Sequence, residues 1–169
     1  MSKAKLKKAL KKLPKEQLIE MVVELYSSRK EAKEYLDYWL EPDEEKELER
    51  CKTLVGREFF TPGGVARRTP TATSVNRIIK SFESLCCAPE HVAELRLTAA
   101  ETLASWIEKR KRRSTYMEWL KREAHDIELY ATFHELEERF ELRCRRLQEL
   151  AEDIEQRQER MRRHIWWHS

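Results

Sequence analysis

APEHVAELRLTAAETLASWIEKR, Ala88 to Arg110, is the stretch whose reading decides the fold. Val92, Leu95, Ala99, Leu103 and Trp106 recur at helical spacing and form one apolar stripe. Ala93, Leu97, Ala100, Ala104 and Ile107 form a second beside it, so only Glu94, Thr98, Glu101, Ser105 and Glu108 are left for solvent. A helix apolar over that much of its circumference needs neighbours on several sides. It is therefore expected at the centre of an all-helical fold. Pro89 suits its first turn, where a missing N–H costs no hydrogen bond.

Upstream, each segment repeats the helical period with its own start signal. Lys3 to Lys12 places Leu6, Ala9 and Leu10 on one face and lysines on the other. The next helix, PKEQLIEMVVELYSS from Pro14, has Leu18, Met21, Val22 and Leu25 on one stripe and Ile19, Val23 and Tyr26 on a neighbouring one. That wide arc predicts a second central helix. Ser28 and Glu31 read as a capping box opening a third helix with Tyr35, Leu36, Trp39 and Leu40. A fourth follows Pro42-Asp43 with Leu48, Cys51, Leu54 and Val55, and a fifth carries Val75, Ile78, Ile79, Phe82 and Leu85. Between them TPGGVARRTPTAT, Thr61 to Thr73, concentrates the turn residues and is expected to be the most mobile internal segment, cut first at Arg67-Arg68.

Downstream, no glycine or proline occurs after Pro89, which favours uninterrupted helix. Thr115 and Glu118 read as a capping box for a seventh helix, and Thr132 with Glu135 marks a break near Ala131. Beyond it Phe133, Phe140, Leu147, Ile154 and Met161 recur every seven residues. The companion position reads Leu136, Arg143, Leu150, Arg157 and His164, a seam only half filled with apolar side chains. Phe133, Leu136, Phe140, Leu147, Leu150, Ile154 and Met161 are thus the candidate interaction seam. The near half is expected to pack in cis and the far half against a second chain, with Glu of the facing helix opposite Arg143 and Arg157. The fold class is an all-α, antiparallel bundle of seven or eight helices: residues 1–131 a helical domain, 132–169 a long C-terminal helix packed on it or pairing with a second copy.

Charge adds a second candidate. The 34 Lys and Arg nearly balance 31 Asp and Glu, so a polyanion contact has to rest on local patches. Three exist: seven lysines and no acid between Lys3 and Lys15, the 67–80 region with Arg67, Arg68, Arg77 and Lys80, and the run Lys109, Arg110, Lys111, Arg112, Arg113. A helix end followed by a turn explains the last run without a ligand, since cations suit the free carbonyls there. Nucleic acid binding through the three patches is the alternative.

Catalytic signatures are absent from the sequence: there is no Gly-rich phosphate loop, no H-E-x-x-H, no zinc-type Cys spacing and no nucleophile elbow. No enzyme activity, cofactor or metal is expected, and His134 with Glu138 is the spacing nearest to a ligand pair. Glu94 and Glu101 are expected to face water. No apolar run reaches the ~18 residues of a membrane span, and four cysteines without a disulfide framework fit a reducing cytoplasm. Trp166 and Trp167 near the end are expected to dock on this or a second subunit.

LKKALKKLPKEQLIEMVVELYSSRKEAKEYLDYWLEPDEE and VNRIIKSFESLCCAPEHVAEL together resemble a family of uncharacterised bacterial proteins, a domain of unknown function. The resemblance runs over roughly residues 5–101, and the Arg/Glu-rich tail from Thr132 departs from it. It implies a helical fold and a bacterial cytoplasmic setting, and no reaction.

Overall fold

The computed structural model describes residues 2–85, 87–110 and 115–166, with all their side chains except those of 158 and 161–166. Among these residues the chain forms eight helices: α1 Lys3–Leu10, α2 Lys15–Ser28, α3 Lys30–Leu40, α4 Glu44–Phe59, α5 Ala72–Glu83, α6 Pro89–Arg110, α7 Thr115–Phe133 and α8 Glu137–Trp166. The fold is all-α. It divides into two compact units, Met1–Asp43 and Glu44–Ser169. The boundary therefore falls at the start of α4, and the C-terminal helix belongs to the same unit as residues 44–131 rather than standing apart from them.

In the larger unit α6 is the hub, packed against α4, α5, α7 and α8. All ten of its apolar residues, Val92 through Ile107, are buried. Each large side chain so removed from water contributes on the order of 1.5–3 kcal/mol. Trp106 is fully enclosed, packs tilted against the Tyr116 ring with centroids 4.5 Å apart, and donates its indole N–H to the Arg67 carbonyl at 2.9 Å. Leu48, Cys51, Val55 and Phe59 of α4 and Val75, Ile79 and Phe82 of α5 complete that side of the core. Glu44 ties the starts of α4 and α6 together: its carboxylate accepts the Ala88 N–H at 2.9 Å and meets His91 Nδ1 at 2.7 Å. Those contacts, the Ala88 N–H first, hold its carboxyl below the usual range.

The smaller unit is α1, α2 and α3, with α2 packed against α3. It has no buried residue in any helix. The expectation of a second central helix is therefore corrected. Both apolar stripes of α2 exist, but two short neighbours cannot cover them, and Ile19, Val22, Val23 and Leu25 stay about half exposed. Ser28 does not cap α3 either; it ends α2, and Arg29 alone joins the helices without a side-chain cap.

The turn-rich stretch after α4 is pinned rather than loose. Phe60 and Ala66 bridge, Thr61 N–H donates to Val65 O, and Arg67 N–H donates to Phe59 O. Gly64, at φ 73, supplies the left-handed residue of this tight reversal. Pro70 is buried, and Thr71 caps α5 by accepting from the Ser74 N–H. The capping box read at Thr115 is displaced: Thr115 is already helical, and the position before it lies outside the described residues.

The break before α8 lies three residues beyond the expected place. Leu136 N–H donates to Ala131 O at 2.8 Å, and Glu135 N–H to Thr132 O at 3.2 Å. That double closure, with Glu135 in the left-handed region at φ 57, is the Schellman ending of a helix. Phe133 consequently belongs to α7 and points away from the seam, 82% exposed.

Candidate functional site

The seam of α8 is covered from within the chain. Phe140, Leu147 and Ile154 are buried, with Cys144 and Ala151 beside them, and α8 packs on α7 and α6. Leu136 and Leu150 are half-buried against the same core, and the Met161 side chain lies outside the described residues. The far half of the seam, expected to meet a second chain, is thus satisfied in cis as far as Ile154.

The seam arginines find their carboxylates on α6. Arg143 Nη2 and Nε contact Glu101 at 3.0 and 3.2 Å, and Nη1 pairs with Glu94. Lys52 of α4 reaches the other Glu94 oxygen at 3.3 Å, and Arg157 reaches Glu108 at 3.2 Å. Glu94, Glu101 and Glu108 lie seven residues apart, so they fall on one side of α6 and reach the arginines of α8 while staying partly in water. Burial alone would raise the Glu94 carboxyl, but Arg143 and Lys52 outweigh it and hold its pKa below the ordinary value. The sequence showed both halves of this ladder; only the fold showed that they belong to each other.

The basic run divides. Lys109 lies over the Phe60 ring at 4.9 Å, and Arg110 donates to the Ala66 and Arg67 carbonyls at 2.7 and 3.2 Å. Lys111, Arg112 and Arg113 lie outside the described residues. Arg110 therefore lies beside the start of the 67–80 patch, where Arg67 and Arg68 are exposed.

Half-open clefts in the larger unit are small. One of about 120 Å³ is lined by Asn76, Lys80, Arg96, Glu123 and Asp126. Burial pushes the Glu123 carboxyl up, against the opposing hydrogen bond from the Trp119 indole N–H at 3.0 Å. Another, about 200 Å³, lies between α7 and α8 around Glu128, Thr132, Glu141 and Arg145. Both fall short of the ~300 Å³ at which metabolite sites begin. His134 stacks on Tyr130 at 4.3 Å, and no group of three metal-ligating side chains occurs among the described residues. Burial pushes the Cys51 thiol up to about 12, the reverse of an activated nucleophile. Cys86 and Trp167 lie outside the described residues, as does the Trp166 side chain.

What remains is the surface of the smaller unit, which sequence reasoning treated as core. Tyr35, Trp39 and Leu40 on α3 are 47%, 67% and 66% exposed. On α1 and α2, Leu6, Leu10 and Leu18 floor an open trough of about 410 Å³ rimmed by Lys3, Lys7 and Lys11. The apolar face of Leu6 and Leu10 legible in the lysine-rich segment is the signal for this surface.

No helix among the described residues is long and apolar enough to cross a membrane. No curated protein and no solved structure matches the chain. A family model does match, over residues 1–164, so the pattern extends well past residue 101 and takes in the Arg/Glu-rich tail that seemed to depart from it. The chain belongs to the family of unknown function DUF6155.

Proposed function

We propose that this protein is a non-enzymatic helical interaction protein and that residues 1–43 are its binding unit. The larger unit is a scaffold with a closed core. One observation supports the reading above all: no residue in the helices of the smaller unit is buried, and among the described residues it carries most of the large apolar side chains left exposed. Exposed apolar surface of this kind points to a binding face, and a unit of roughly 40 residues has little core of its own to stabilise it.

The test is a photo-crosslinking residue at position 39, compared with the same residue at the exposed Glu149 on α8. Protein adducts specific to position 39 are expected, whether to another copy or to a different protein. Equal or absent labelling at the two positions would sink the reading.

A second reading, nucleic acid binding, is favoured by the contacts that set Arg110 beside the exposed Arg67 and Arg68. It expects duplex binding that falls steeply with salt, with a smaller salt slope in Arg67→Gln/Arg68→Gln because fewer counterions are released.

A further inference from the structure

The smaller unit presents two uncovered surfaces of opposite character. One is the α1–α2 trough, apolar in its floor and rimmed by lysines, within a segment of seven lysines and no acid. The other is α3 with the residues just after it. There Tyr35 and Trp39, one turn apart, form an exposed aromatic ridge. Glu31, Glu34, Asp37, Glu41 and Asp43 accompany it, and Lys33 is the one cation between residues 31 and 43. We infer that the occupant of this unit is a second copy of the same chain, the α3 ridge of each copy seated in the α1–α2 trough of the other. This rests on the interaction reading above and names its partner.

Charge selects that arrangement over the simpler ones. Trough against trough would bring two seven-lysine segments together, and ridge against ridge would oppose two carboxylate clusters. Trough against ridge matches charge at both contacts. Lys3, Lys7 and Lys11 span about 12 Å along α1, and Glu31 to Glu41 about 15 Å along α3, so the two rows are of similar length. An arrangement in which each copy gives and receives the same contact closes as a twofold dimer. It also covers both apolar surfaces at once, which a foreign acidic helix filling only the trough would not do. Asp37 is committed within its own copy, accepting from the Tyr26 hydroxyl at 2.8 Å, while Glu34 meets Lys30 at 3.7 Å in a surface pair that a partner lysine can replace, so the exchangeable charges are Glu31, Glu34 and Glu41.

A charge-swap experiment tests this on the full chain by light scattering. Wild type is expected to reach twice its 20.4 kDa mass with rising concentration, and to dissociate as salt is added. Reversing the trough (Lys3→Glu, Lys7→Glu, Lys11→Glu) or the ridge (Glu31→Lys, Glu34→Lys, Glu41→Lys) should each weaken self-association roughly tenfold or more. Mixing the two variants should restore it, because both contacts of the mixed pair are then matched. Circular dichroism on each variant checks that α-helix is retained, and recovery in the mixture would itself exclude misfolding. A wild-type monomer at every concentration, a dimer indifferent to both reversals, or reversals that fail to complement would each overturn the second-copy occupant. Adducts at position 39 to a foreign protein, with a monomeric wild type, would overturn this inference and leave the interaction reading standing. Failure of specific labelling at position 39 would remove both.

Discussion

Arg143 is the residue on which the α6–α8 contact turns. It sits at a seam position where an apolar side chain would serve a two-stranded coil, yet it is satisfied by Glu94 and Glu101 of its own chain. Both groups are about one-third exposed or less on the Glu94 side, so the pair is partly screened but not a surface pair. Arg143→Ala removes the cation that Glu94 and Glu101 share, leaving Lys52 at Glu94, and is expected to cost about 1–3 kcal/mol in chemical denaturation. A double-mutant cycle with Glu94→Gln should show non-additive coupling between them. The pH dependence has a definite sign. Glu94 has its folded pKa below the ordinary 4.5, so its contribution is complete above that value and is lost as pH falls through the folded pKa. Stability of the wild type should therefore drop on acidification below about pH 4.5, and Glu94→Gln should flatten that part of the curve. Glu135 offers the opposite kind of test. A glutamate at φ 57 holds a conformation that glycine adopts without strain. Glu135→Gly is expected to raise the thermal midpoint, by about 1 kcal/mol in stability at most. A loss of stability would mean that the Glu135 side chain makes a contact worth more than the strain.

At the scale of the element, α8 and α2 show how one apolar pattern leads to two fates. The α8 heptads were legible, and so was their need for a facing helix. What could not be read was whose helix: α6 presents Glu94, Glu101 and Glu108 at the same seven-residue interval, and a break at Glu135 folds α8 back to meet them. Leu147→Asp is therefore expected to unfold the larger unit's packing rather than to split a dimer. Loss of the cooperative transition would bear this out; a native-like monomer with intact helicity would show that α8 was covered by another chain after all. In α2 the pattern was, if anything, stronger, with two adjacent stripes. Its exposure follows from neighbours, not from composition: α1 has 8 residues and α3 has 11, too little helix to enclose 14. The turn after α4 makes the converse point. Two glycines and a run of polar residues suggested mobility, but the Trp106 indole and the Arg110 guanidinium hold its carbonyls from forty residues away.

At the scale of the whole molecule, the two units differ in what they bury, and this has a measurable consequence. Amides of α6 are expected to exchange only with global unfolding, while those of α1–α3 exchange through local opening. If a second copy covers the smaller unit, protection of α2 and α3 should rise with protein concentration and that of α6 should not. Uniform protection across the chain would contradict the division itself. The all-helical class, the central place of α6 and the apolar registers of α4, α5 and α8 were determined by the sequence alone, because helical periodicity and the lack of breakers after Pro89 are local properties. Tertiary structure alone decided which apolar faces are core and which are surface. Burial depends on the length and position of neighbouring helices, so the α8 seam closed on α6 and α7 while the equally apolar α2 was left open. The same reason applies to charge: Arg143 and Glu94 are forty-nine residues apart, and only folding turns two seam defects into one matched contact.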